Sequence, residues 1–81
     1  MRYDDKKGKM FREIEKIILL STQNNEGIDM RRLVVEMVRK YYFSEKTIEK
    51  YIEGLIEIST ISYDTKGNLV WNFQKDIIKN E

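Results

Sequence analysis

The spacing of apolar residues changes near Thr60. Before this point, apolar residues recur at the three- and four-residue intervals that are typical of amphipathic α-helices. After it, apolar and polar residues alternate, which is typical of β-strands with one buried face. The change predicts an α+β domain in which the helices come first and a β-hairpin comes last.

Three segments have helical spacing. The first predicted helix covers residues 10–23, and turn-forming residues follow it. The second covers residues 30–40, and the preceding Asp29 can cap it. The third covers residues 45–58, and the preceding Ser44 is another good N-cap residue. The predicted core consists of the apolar stripes of these helices: Met10, Ile14, Ile17, Ile18, Met30, Leu33, Val34, Met37, Val38, Ile48, Tyr51, Ile52, Leu55 and Ile56.

The segment over residues 60–73 predicts the hairpin, with turn-forming residues between its two alternating runs. Lys66 lies at the predicted tip. Upstream, the lone apolar residue Ile28 predicts a very short strand. In the aromatic link between the second and third helices, we expect Phe43 to be buried and Tyr42 to be more exposed.

The two ends of the chain lack apolar periodicity long enough for an independent element. Residues 1–9 are predicted to be a mobile, basic N-terminus that contains Lys6, Lys7 and Lys9. Two interpretations remain open for it: a frayed end, or an arm that contacts phosphates. Residues 74–81 are predicted to be a C-terminal tail or a short helix. One domain, residues 10–73, therefore lies between them.

Composition excludes several classes of function. The chain of 81 residues contains no histidine and no cysteine, so it lacks the usual general base, the commonest metal ligand and the thiol nucleophile. We therefore expect no enzyme, no metal and no cofactor, and no small-molecule site is evident. A carboxylate pair such as Glu13 with Glu36 is the acid–base chemistry that remains open.

The sequence also predicts where the chain is found. No apolar run reaches the roughly 18 residues that a membrane span requires. Residues 1–9 are charged and lack the hydrophobic segment of a signal peptide. These features predict a cytoplasmic, intracellular protein with no membrane partner.

The order helix, very short strand, helix, helix, hairpin resembles that of the winged helix-turn-helix fold. The specific part is SEKTIEKYIEGLIEISTISYDTKGNLVWNF, residues 44–73. It is similar to the recognition helix and wing of small archaeal and bacterial DNA-binding regulators, whose helix start matches Ser44, Thr47, Ile48 and Lys50. The abundance of Ile, Lys, Asn and Glu also resembles that of proteins from AT-rich archaea, their viruses and plasmids.

This resemblance implies a sequence-specific protein that binds double-stranded DNA and regulates transcription. The third helix would enter the major groove, and the wing would contact the adjacent backbone. The implied DNA-binding residues are Ser44, Lys46, Thr47 and Lys50 on the third helix, Lys66 on the wing, and Arg31 and Arg32 at the start of the second helix.

A second function remains open, a winged-helix module that binds another protein. The net charge is +1, which does not favour binding driven by overall charge. Glu45 and Glu49 occupy positions of the third helix that are often basic in such regulators, and Glu53 and Glu57 would repel phosphates.

The number of apolar residues predicts self-association. An 81-residue chain has a small core, yet several apolar residues exceed what one buried stripe requires: Met10, Phe11, Leu20, Ile77 and Ile78. We therefore expect a homodimer formed by the first helix and the C-terminal segment.

Overall fold

The computed structural model of the chain describes residues 3–73. Its elements, in chain order, are α1 (Tyr3–Gln23), α2 (Met30–Tyr41), α3 (Glu45–Glu57), β1 (Ile61–Tyr63) and β2 (Leu69–Trp71). The two strands are antiparallel, with Ser62 opposite Val70. The α+β class and the order of three helices followed by a two-stranded sheet are therefore confirmed. The predicted tail or short helix over residues 74–81 lies outside the described residues.

Short polar side chains begin α2 and α3, as predicted. The Asp29 carboxylate accepts a hydrogen bond from the backbone N–H of Arg32 at 3.0 Å. The Ser44 hydroxyl accepts one from the backbone N–H of Thr47 at 3.2 Å. Each satisfies a backbone donor that the first helical turn leaves without a partner, which typically contributes about 1 kcal/mol.

Left-handed residues follow the helices and reverse the chain. Asn25, Tyr42 and Ser59 have φ values of 60°, 62° and 64°. At the end of α2, the Tyr42 N–H donates to the Val38 carbonyl at 2.9 Å. This turn brings the start of α3 close to the end of α2.

The hairpin is joined to the loop between α1 and α2. The Ile28 N–H donates to the Leu69 carbonyl at 3.1 Å, and the Leu69 N–H donates to the Ile28 carbonyl at 2.8 Å. The predicted very short strand is therefore a single bridge pair. The end of α1 is also joined to β2, because the Trp71 N–H donates to the Thr22 hydroxyl at 2.8 Å.

The core lies between the three helices and one side of the hairpin. Its buried residues are Met10, Ile14, Ile18, Leu33, Val34, Met37, Tyr41, Phe43, Ile48, Ile52, Leu55, Ile61 and Leu69. The other predicted stripe residues pack at its edge: Ile17, Met30, Val38, Tyr51 and Ile56. Phe43 is 8% exposed and Tyr42 is 83% exposed, which confirms the prediction for this pair.

The first helix begins earlier than predicted. It starts at Tyr3, so the predicted start at residue 10 is wrong, and residues 3–9 form its first turns. The Lys6 ammonium lies 5.3 Å from the centroid of the Tyr42 ring and 5.8 Å from that of Phe43. Such cation–π contacts contribute roughly 0.5–1 kcal/mol at exposed sites. They stabilise turns that have no apolar stripe of their own.

Two of the five apolar residues that predict a homodimer are used inside the domain. Met10 is fully buried. Phe11 stacks on Tyr51, with the ring centroids 3.7 Å apart and the planes 1° from parallel. Leu20 remains 46% exposed, and residues 77–78 lie outside the described part of the chain. The homodimer stays a prediction, with Leu20 as the described residue available to it.

Candidate nucleic-acid interface

The outward-facing side of α3 carries opposite charges at its two ends. Lys46 and Lys50 are exposed in its first half, and Glu53 and Glu57 are exposed in its second half. Within residues 3–73, none of the four forms an ion pair. Lys46 lies in the first turn of α3, at the positive end of the helix dipole, where a cation forgoes roughly 0.3–1 kcal/mol, whereas Lys50 lies near the middle of the helix. Their position therefore does not stabilise α3, and both are available to an anion.

Ser44 and Thr47 shape the start of α3. Their hydroxyl oxygens are 2.9 Å apart and share a hydrogen bond, and Ser44 also caps the helix. Ser44 is exposed and Thr47 is half-buried. The structure thus shows a structural role for two of the predicted DNA-binding residues.

The two predicted arginines of α2 already have carboxylate partners. Arg31 Nη2 lies 3.5 Å from Glu45 Oε1 of α3, and Arg32 Nε lies 3.5 Å from Glu36 Oε1. Both arginine side chains are largely exposed and both glutamate side chains are about half exposed, and such pairs contribute about 0–1 kcal/mol. A phosphate can therefore replace either carboxylate at little cost. The first pair also places Arg31 beside the start of α3.

Lys66 lies at the hairpin tip in a separate group of residues. Its backbone N–H donates to the Asp64 carboxylate at 2.8 Å, and its side chain is exposed. The tip packs against the loop before α2 at Gly27, where an added Cβ would lie 2.4 Å from Asn68 Cβ. This close approach requires glycine and fixes the tip. The groove at the tip also contains Glu26, so this end of the surface is mixed in charge.

A groove between α1 and α3 contains Lys7, which the sequence places in a mobile basic segment, either a frayed end or an arm that contacts phosphates. Lys7 lines it together with Phe11, Thr47, Lys50 and Tyr51, and its volume is 370 Å³. The structure thus places a lysine from the first turns of α1 near two predicted DNA-binding residues. A sequence signal existed, because Lys7, Phe11 and Glu15 are spaced four residues apart and form one row along a helix.

Phe11 and Glu15 of this row hold α1 against α3 through their contacts with Tyr51. The Tyr51 hydroxyl donates to the Glu15 carboxylate, and burial together with this hydrogen bond raises the pKa of Tyr51. The phenol is therefore neutral at physiological pH and acts as a donor. The two contacts of Tyr51, with Phe11 and with Glu15, position the groove.

A second polar network joins α1 to α2. Lys40 Nζ lies 2.9 and 2.8 Å from the two oxygens of the Glu13 carboxylate, and the Tyr41 hydroxyl donates to the same carboxylate. The hydrogen bonds from Lys40 and Tyr41 lower the pKa of Glu13. The carboxylates considered as an acid–base pair thus have different cationic partners, Lys40 for Glu13 and Arg32 for Glu36.

We expect Glu13→Gln to lower the melting temperature at pH 7. Because its pKa is lowered in the folded protein, the Glu13 carboxylate stabilises the fold above its unfolded pKa, and this contribution is lost as the pH falls through its folded pKa. The difference from the wild type should therefore shrink below about pH 4. Thermal unfolding followed by circular dichroism across this range measures the effect.

Glu36→Gln is the matched control, because it removes a more exposed carboxylate that pairs with Arg32 within one helix. It should change the melting temperature less at every pH. Identical profiles for Glu13→Gln and the wild type would contradict the role assigned to Glu13.

Comparison with known proteins identifies no relative. The chain matches no protein-family model, no curated protein and no solved structure. Among residues 3–73, no group of three or more acidic side chains is placed to hold a metal ion. No helix in this part of the chain is long and apolar enough to cross a membrane.

Proposed function

We propose that this chain is a winged helix-turn-helix protein that binds double-stranded DNA and regulates transcription. In this proposal α3 enters the major groove and the hairpin contacts the adjacent backbone. The observation that supports it most is the exposed first half of α3. There Lys46 and Lys50 have no ion-pair partner within residues 3–73, and the position of Lys46 in the first turn forgoes stability in the isolated helix.

The surroundings of α3 support the same proposal. The Arg31–Glu45 pair places another cation beside the start of α3, and Lys7 lies in the groove with Lys50 on its other side. Phosphate binding depends on such local clustering, since the net charge of the chain is +1. The hairpin follows α3 directly and is joined to Ile28, which is compatible with a wing.

A protein-binding module is the second candidate, and the acidic half of α3 favours it. Glu53 and Glu57 are exposed on the same side of the helix as the lysines. Phosphates would be repelled there, whereas a cationic protein surface would be attracted. The salt dependence of binding distinguishes DNA binding from this alternative, because it reports the number of ions released when the complex forms.

We expect Lys46→Ala/Lys50→Ala to weaken binding to DNA duplexes and to leave the melting temperature unchanged or slightly higher. If both lysines contact phosphates, the plot of log affinity against log salt should flatten by about 1.8, at about 0.9 for each lost contact. If one of them instead reads a guanine edge, its loss should cost about 1–3 kcal/mol at one base pair. Fluorescence anisotropy at several salt concentrations measures both effects, with random duplexes and with duplexes selected for binding.

Lys9→Ala/Lys16→Ala is the matched control, because it removes the same charge from the outer side of α1. Its salt slope should stay closer to that of the wild type. Equal losses in both variants would indicate attraction by overall charge. Unchanged DNA affinity in the α3 variant, with the fold intact, would exclude α3 as the DNA-reading helix and favour the protein-binding module.

A further inference from the structure

The outer side of α1 forms a basic groove with the end of α2, away from the proposed DNA-binding residues. It has a volume of 480 Å³ and contains Lys9, Arg12 and Lys16. Within residues 3–73 these three cations form no ion pair, whereas Lys40 in the same groove is paired with Glu13. Leu20, at the same groove, is 46% exposed. The groove therefore offers three cations that form no ion pair in the described part of the chain, beside an exposed aliphatic side chain, and Lys9 also interacts electrostatically with Glu13.

The second half of α3 has the opposite properties. Glu53 and Glu57 are exposed and form no ion pair in the described part of the chain. Glu57 is also the last residue of α3, at the negative end of the helix dipole, where further negative charge is unfavourable. The positive charges of the groove and the negative charges of α3 are therefore complementary.

At Gly54, another molecule can approach the backbone of α3 closely. Glycine inside a helix weakens it relative to alanine, because the unfolded chain has more conformations to lose. A Cβ at Gly54 would meet nothing within 4 Å, so packing inside the domain does not require glycine there. The missing side chain leaves space on the outside of α3, directly beside the two glutamates.

We propose that copies of this chain associate head to tail, with the acidic end of α3 from one copy in the basic groove of the next. Arg12 and Lys16 are one helical turn apart, and so are Glu53 and Glu57. The two pairs can therefore face each other in register. Gly54 lets the two helices approach closely enough for Leu20 to be covered.

This association differs from a two-fold dimer, because each copy contributes two different surfaces. It leads to short chains of molecules at high concentration and low salt. It does not depend on DNA binding. It would, however, cover the glutamates that lie on the same side of α3 as Lys46 and Lys50.

Sedimentation velocity tests the proposal over concentrations from about 10 µM to about 1 mM, because small polar interfaces bind weakly. The average mass of the wild-type protein should rise with concentration at low salt and fall when salt screens the charges. A protein that stays monomeric throughout this range at low salt would overturn the proposal.

Two variants with exposed substitutions distinguish this arrangement from any other. Arg12→Ala/Lys16→Ala removes the two cations of the basic groove that would face the glutamates, and Glu53→Ala/Glu57→Ala removes the acidic surface. Each variant alone should remain monomeric, whereas their mixture should form a 1:1 complex, because each retains the surface that the other lacks. A mixture that stays monomeric while the wild type associates would overturn the pairing of these two surfaces.

Gly54→Ala tests the contact between copies without weakening the fold of each copy. It should raise the melting temperature, because alanine favours the helix and its Cβ meets no other atom. It should also weaken self-association, because the new methyl group occupies the space between the two helices. Undiminished association in this variant would overturn the placement of α1 over Gly54.

Discussion

Replacing Leu69 with alanine is expected to lower the free energy of unfolding by about 2–5 kcal/mol. Leu69 is fully buried, pairs with Tyr63 in the hairpin and is joined to Ile28 by two backbone hydrogen bonds. A cavity at this position would weaken the contact of the hairpin with the helices. Small domains have a total stability of roughly 5–15 kcal/mol, so this loss is a large part of it.

Urea unfolding followed by circular dichroism measures this loss. Val70→Ala is the matched control, since Val70 is the next residue of the same strand, points to the opposite side of the sheet and is half-buried. We expect Val70→Ala to have the smaller effect. Equal losses at the two positions would contradict the assignment of Leu69 to the core and Val70 to the outer side.

Replacing Phe43 with alanine is expected to cost about 3–5 kcal/mol. Phe43 lies in the link between α2 and α3, and its side chain is 8% exposed. Its ring fills the core at the point where the two helices meet. We also expect reduced DNA affinity in any folded fraction, because α3 would lose part of its support against α2.

Tyr42→Ala is the control for Phe43→Ala, because it removes an adjacent aromatic ring that is 83% exposed. Its main described contact is with the Lys6 ammonium, 5.3 Å from the ring centroid, which is worth roughly 0.5–1 kcal/mol. Chemical denaturation of both variants compares the two rings directly. Similar losses would contradict the larger contribution to stability that we assign to the buried ring of Phe43.

The elements that local patterns specify were predictable from the sequence. Apolar spacing placed three helices and the hairpin, and the caps Asp29 and Ser44 placed two helix starts. The start of α1 was missed because residues 3–9 have no apolar stripe. Their contacts with the rest of the domain include Lys6 on the rings of the link between α2 and α3 and Lys7 at the groove with α3. Distances between remote parts of a chain are not visible in its local pattern.

The candidate site was predictable in part for the same reason. The exposure of Lys46 and Lys50 follows from their position opposite the apolar stripe of α3. The Arg31–Glu45 pair and the approach of Lys7 to the α3 groove depend on how separate helices pack. DNA binding itself stays a prediction, since a surface charge pattern does not identify its partner.

The hydrogen bonds that join early and late parts of the chain affect the order of folding during synthesis. Trp71 bonds to Thr22, and Leu69 bonds to Ile28, so both contacts close loops of more than 40 residues. Helices form locally in microseconds or less, whereas contacts across long loops are slower. All three helices can therefore emerge from the ribosome while α1 still lacks its contacts with β2. The domain closes only after β2 has been synthesised.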